Sequence, residues 1–212
     1  MCFSPQADLT AGVVVGALAV DAVRHVRRPA EELLAAVPVV LAAHSLIEAF
    51  VWWGLQGRVS IGVERLALWS YLVVALGVLP VLVPLAVAAL EPVTNRRRAS
   101  FFVVVGAAVA VVLLTAVVRG PVDVAIEGHH LSYMVDVWHG GALVVFYVVA
   151  TCGSMMLSTR PHVRWFGAAN LGAACVLSWL DRSSFISLWC FWAAAASVAI
   201  AAHLRAVDPA TA

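Results

Sequence analysis

The chain has no lysine; all 13 of its basic residues are arginine. A light-driven retinal protein is thereby excluded, because no amine is present to form the Schiff base. Charge of either sign is scarce. Only 12% of the 212 residues are charged and 63% are hydrophobic, whereas soluble domains carry about 25% charged and about 45 to 50% apolar residues. No water-soluble surface can be assembled from so few charges, and a net charge of +1 offers nothing to nucleic acid. A basic flank ahead of the first apolar run is also missing. The first charge is Asp8 and the arginines follow the run, so it is expected to be a retained span rather than a cleaved signal peptide. No internal repeat suggests inverted halves, and no separate soluble domain is expected.

What the chain does have is long apolar runs. With a mean hydropathy of +0.98, it offers seven stretches near the length of about 17 to 25 residues that crosses a hydrocarbon core. They are 7–23, 33–55, 66–90, 101–118, 138–157, 163–180 and 185–204. The expected fold is an all-α integral membrane protein, one domain over 1–212, built as a single bundle of seven transmembrane helices. Pro80 and Pro84 fall inside the third run, where they remove backbone donors and should kink the helix rather than end it.

Arginine placement sets the orientation. With the amino terminus outside, Arg24, Arg27, Arg28, Arg96, Arg97, Arg98, Arg160, Arg164 and Arg205 lie inside, against Arg58, Arg65, Arg119 and Arg182 outside. The positive-inside rule therefore selects N-out, C-in, with an external loop over 119–137 and a short cytoplasmic tail over 205–212. The expected location is the inner (plasma) membrane, with the lipid bilayer as partner. Oligomeric state is not legible.

Glu48 is the most conspicuous residue, a carboxylate within the apolar run 33–55. An ionised side chain at the centre of a spanning helix costs at least about 2.5 to 3.5 kcal/mol, so such groups face a bundle interior or a wet cavity. His44, Glu48 and Trp52 recur at i, i+4 and i+8 on one helical stripe, with Ser45 and Trp53 beside it. An imidazole and a carboxylate one turn apart can hold a divalent metal or act as an acid/base pair, but they also serve as structural polar contacts between helices. The N-out orientation puts Glu48 about two turns below the outer surface. The same face carries Cys2, Cys190, the turn between runs six and seven with Asp181 and Arg182, and the external loop.

That loop contains Asp123, Glu127, His129, His130, Tyr133 and Asp136, followed by His139. Its alternating β-branched character suggests a short hairpin around Glu127-Gly128 or an interfacial half-turn. His130, His139 and Asp136 could complete a shell over Glu48 suited to zinc, iron or copper. Cys2 and Cys190 face the oxidising side and form a disulfide, ligate a soft metal, or remain buried thiols; Cys152 and Cys175 read as small core residues. Gly12-x-x-x-Gly16 and the Gly167/Gly172 pair permit close helix contact. Asp21 and Arg24 can pair at i, i+3, and His25, His162 and His203 lie near the inner face. A haem with paired axial histidines is disfavoured, because only His44 lies deep in a helix.

Three stretches carry a resemblance: Met1-Cys2-Phe3-Ser4, Glu48-Ala49-Phe50-Val51-Trp52, and Ser187-Leu188-Trp189-Cys190-Phe191. They resemble a widespread bacterial family of small multi-pass membrane proteins of unknown function, over the whole chain. The resemblance implies a seven-helix membrane protein and singles out Cys2, Glu48 and Cys190. His44 departs from the family pattern, which has a glutamine-rich step before the acid.

Two functions fit these features. One is a membrane enzyme acting on a lipid or small apolar substrate, with Glu48 and His130 as catalytic groups, a metal held among Glu48, His44, His130, His139, Cys2 and Cys190, and Trp52, Tyr133, Asp136 and Asp181 binding substrate. The other is a transporter, sensor or ligand-binding protein in which Glu48 is the protonatable residue. Both depend on the orientation, which predicts that a membrane-impermeant thiol reagent applied to intact cells, after reduction, labels Cys2 or Cys190 from outside. Labelling from the cytoplasmic side alone would reverse the topology.

Overall fold

The computed structural model describes residues 4–128, 130–137, 139–180 and 185–206, with the side chains of 177–180, 185–194 and 206 outside the description. Among the described residues seven helical rods follow one another: α1 (Pro5–Arg24), α2 (Pro29–Leu55), α3 (Ile61–Leu90), α4 (Val93–Arg119), α5 (Gly140–Met156), α6 (Pro161–Leu180) and α7 (Phe185–Ala206). Each coincides with one of the expected apolar runs to within a few residues, except that α3 and α4 begin earlier, at Ile61 and Val93. Among the described residues, α1 to α4 are long and apolar enough to cross a membrane, and α5 is a shorter apolar helix. Between α4 and α5 the expected hairpin forms from β1 (Val122–Glu127) and β2 (His130–Val135). Its turn passes through Gly128 at φ +60°, a left-handed backbone that glycine adopts without a Cβ clash.

The chain divides into two compact units. The first comprises the described residues of Met1–Tyr71, Ile126–Leu131 and Ser183–Ala212, and in it α1 packs on both α2 and α7. Helix α1 starts where Ser4, in extended conformation, accepts a hydrogen bond from the Ala7 amide at 3.2 Å, with Pro5 at the first helical position. Its buried stripe runs Asp8, Ala11, Gly12, Val15, Ala19 and Ala22 at helical spacing. A Cβ added to Gly12 would lie 2.5 Å from Leu46 Cδ2, and one on Gly16 would meet the Ala42 methyl at 3.9 Å. Small residues thus seat α1 closely on α2, as the glycine spacing led us to expect. Asp21 is held not by Arg24 but by Arg205, whose Nε and Nη2 donate to its two oxygens at 2.7 and 2.6 Å. Both residues sit at the C-terminal ends of their helices, so α1 and α7 run in the same direction.

The second unit comprises Leu72–Ala125 and Ser132–Arg182. Here Pro80 and Pro84 do not end α3; the helix passes through a π-helical segment, Val73–Val78, just before Pro80. The Leu79 amide donates to the carbonyl of Val74, five residues back, which leaves the Ala75 carbonyl without its α-helical donor, and Pro80 has no N–H to take that place. Tyr147 on α5 supplies the missing donor: its hydroxyl reaches Ala75 O at 2.9 Å. The Pro80 carbonyl loses its donor at Pro84 in the same way. There Gly106 on α4 comes so close that a Cβ would fall 1.9 Å from Pro80 O, leaving room only for a weak Cα–H···O contact. Helix α5 carries a second π segment, Val149–Gly153, where the Thr151 hydroxyl donates to Tyr147 O at 2.9 Å. Cys152 is buried as expected, but Cys175 is exposed. Gly167 packs against Met155, whereas among the described residues nothing lies within 4 Å of a Cβ placed on Gly172.

Large apolar side chains point outward along these rods. On α4, Phe101, Val104, Val111 and Val118 are 61%, 67%, 65% and 71% exposed, while Ala99, Gly106, Val109 and Ala110 are buried. Phe102, Leu113 and Val117 are buried on the same helix, and the bulky apolar side chains that face outward suit a lipid surround and would be costly in water. Gly106→Ala is the most direct check on this packing. The added methyl must push α4 from α3, with an expected loss of about 1 to 3 kcal/mol seen as a lowered Tm in detergent; an unchanged Tm would deny the close approach.

Candidate functional site

The contact between α1 and α2 fixes what lies opposite Glu48. Gly12 meets Leu46 and Gly16 meets Ala42, so each turn gained on α1 is a turn lost on α2. Carried back one turn, this antiparallel register sets Asp8 level with Phe50, between Glu48 and Trp52. Asp8 and Glu48 are 1% and 0% exposed, and their carboxyls are near enough for each to feel the other's charge. Neither oxygen of Asp8 has a hydrogen-bond partner among the described residues. The Trp52 indole faces the Asp8 carboxyl without closing to hydrogen-bond geometry, and its Nε1 is likewise unpartnered among the described residues.

One turn deeper, His44 is buried and its ring stacks on Tyr71, with centroids 4.1 Å apart and planes 18° from parallel. Its Nδ1 has no hydrogen-bond partner among the described residues. Ser45 is buried beside it. The stripe of His44, Glu48 and Trp52 is therefore a buried stripe facing protein. It brings an imidazole, two carboxyls and an indole to neighbouring levels of the first unit.

The other expected site residues are dispersed. His130 Nε2 lies 3.9 Å from Glu127 within the hairpin. Tyr133, Asp136 and His139 belong to the second unit, with Asp136 and His139 exposed. His139 takes a left-handed φ of 57° at the start of α5. Cys2, His129 and Asp181 lie outside the described residues, as does the side chain of Cys190. Among the described residues, no three His, Cys, Asp or Glu side chains form a group that could hold a metal ion.

A family model, described as "Family of unknown function (DUF6629)", matches residues 1–212. The chain belongs to DUF6629. This agrees with the resemblance to an uncharacterised family. Searches of curated proteins and of solved structures give no match.

Sequence reasoning passed over two residues of this DUF6629 chain. In the sequence Asp8 is notable only as the first charge, and it falls in the first turn of α1, where carboxylates are common. The signal that could have found it is its spacing of one turn before Gly12-x-x-x-Gly16, which puts it on the contact stripe. The second is Glu91, buried in the turn between α3 and α4. It accepts hydrogen bonds from the hydroxyl of Ser158, from the Thr159 amide at 3.1 Å and hydroxyl at 2.8 Å, and from Asn95 Nδ2 at 2.9 Å. Arg160 Nε donates to Leu90 O at 3.3 Å alongside. Glu91 thus ties the α3–α4 turn to the start of α6 and places a carboxylate at that helix's positive end.

Burial pushes the Glu91 carboxyl up, but the donors from Ser158, Asn95 and Thr159 outweigh it and hold the group below its ordinary value of 4.5. A depressed folded value means the stabilisation is present above the ordinary value and lost as pH falls through the folded one. Glu91→Gln should therefore lower Tm at neutral pH, with the gap from wild type closing as pH falls toward about 3. A gap that stays constant down to that pH would remove the charged latch.

Proposed function

We propose that this protein is a seven-span integral membrane protein, amino terminus outside, whose Asp8–Glu48 pair is a buried site binding either a proton or a small cationic ligand, as in a transporter, sensor or ligand-binding protein. The observation that carries the reading is the adjacency of two fully buried carboxyls with no hydrogen-bond partner for Asp8 among the described residues. Like charges brought close together out of water repel, so the pair favours a proton or a cation between its members. Exchange of one for the other couples ligand occupancy to protonation. Trp52 adds an aromatic neighbour able to favour a cation through its ring face. The seven-span reading draws support from the common direction of α1 and α7, which an odd number of crossings requires, and the arginine asymmetry favours the cytoplasmic side of an inner membrane for the C-terminus.

A metal enzyme acting on a lipid or small apolar substrate is the competing reading. It needs further ligands, such as Cys2, Cys190, His130 or His139, to join Glu48 and His44. One experiment separates the two. A hydrophobic carbodiimide reacts with protonated carboxyls in apolar surroundings, so in bilayer-embedded full-length protein it should modify Asp8 or Glu48, more at low pH than at high, and not in Asp8→Asn/Glu48→Gln. Absence of modification at every pH in folded wild type would refute the carboxyl site. Stoichiometric zinc, copper or iron in protein purified without chelator, lost in Asp8→Asn, would put the metal enzyme in its place.

A further inference from the structure

The Glu91 latch has a second consequence, at the end of the second unit where it sits. Asn95 and Thr159 both donate to Glu91, and each is followed by arginine: Arg96, Arg97 and Arg98 on α4, and Arg160 and Arg164 at the start of α6. One buried carboxylate thereby holds two basic runs side by side. Its own charge is taken up by four donor groups, leaving little to neutralise the guanidinium groups around it. Arg96, Arg97, Arg98 and Arg164 are exposed, and no carboxylate among the described residues forms an ion pair with them. The other described acids of this unit, Asp123 and Asp136, lie past the far end of α4, a helix of 27 residues and so roughly 40 Å long. Trp165, 77% exposed, follows Arg164 directly and supplies the amphipathic ring that favours the headgroup level of a bilayer.

We infer that this arginine face binds the headgroups of anionic phospholipids, holding the phosphate of a lipid such as phosphatidylglycerol between the α4 and α6 runs while Trp165 lies at the acyl boundary. The occupant follows from charge complementarity: an unneutralised cluster immediately beyond two apolar helices, beside an interfacial tryptophan, meets lipid phosphate before any other anion. Arginine suits the task because its planar fork bonds phosphate oxygens in pairs. The inference rests on the membrane reading but not on the Asp8–Glu48 site.

The test is quenching of Trp165 by brominated lipids, in full-length protein reconstituted into phosphatidylcholine vesicles that contain phosphatidylglycerol. The Trp165 signal is taken as the difference between each chain and its Trp165→Phe counterpart. Brominated phosphatidylglycerol should quench it as though enriched roughly fivefold over its bulk fraction, the ratio for about 1 kcal/mol of preference. That preference should disappear in Arg96→Gln/Arg97→Gln/Arg98→Gln, diminish in Arg164→Gln, and weaken with salt. Equal quenching by brominated phosphatidylcholine and phosphatidylglycerol would overturn the lipid site while leaving the membrane reading standing. Quenching by neither would overturn both. If the triple variant does not fold, Arg164→Gln and the salt titration decide, and a preference indifferent to both is a negative result.

Discussion

Hydrocarbon offers no partner to a hydrogen-bonding group, so a chain that crosses it must satisfy nearly every backbone and side-chain polar atom from within. Much of the second unit answers to that constraint. Two prolines and a π-helical register strip donors from the carbonyls of Ala75 and Pro80, and other rods come in to cover them: a tyrosine hydroxyl from α5 for one, the bare Cα of Gly106 for the other. The prolines are thus tolerated because of what packs against them. Glu91 answers the same demand at the end of the rods, where a buried carboxylate is matched by four donor groups.

Against that background the Asp8 carboxyl stands out. Among the described residues its neighbours include a second carboxyl and an indole that faces it without bonding, an arrangement that is costly in an apolar interior. The geometry that creates it is built from small residues. Gly12 and Gly16 let α1 lie close to α2, and the register of that contact delivers Asp8 to the level of Glu48 and Trp52. On the proposed reading, an acid with no hydrogen-bond partner among the described residues has a use in exchanging a proton or cation.

The two polar centres divide labour by surroundings. Glu91 is saturated with donors, stays charged, and organises the arginines on either side of it. Asp8 and Glu48 lie within reach of each other's charge, and on the proposed reading their state of charge follows what they bind. Glu91 fixes structure because its hydrogen bonds are complete, whereas Asp8 has none among the described residues, and the proposed reading rests on that contrast.

From the sequence alone, composition and run length identified the helical rods and their approximate bounds, since the need to bury or shield apolar surface over a membrane's thickness is written locally. The Glu127-Gly128 turn was legible for a similar reason: alternating residues flank a glycine able to take a positive φ. Glu48 was legible because a charge in an apolar run needs no partner to be noticed. Its companion was not. Asp8 is unremarkable at the start of a helix until the α1–α2 register sets it against Glu48, and Glu91 looks like a turn residue until Ser158 and Thr159 close on it from far along the chain. Tyr147 and Gly106 gain their roles only where α5 and α4 meet the proline-interrupted carbonyls of α3. Periodicity is a property of one helix, whereas hydrogen-bond completion and charge pairing belong to contacts between helices, and these only the tertiary structure decided.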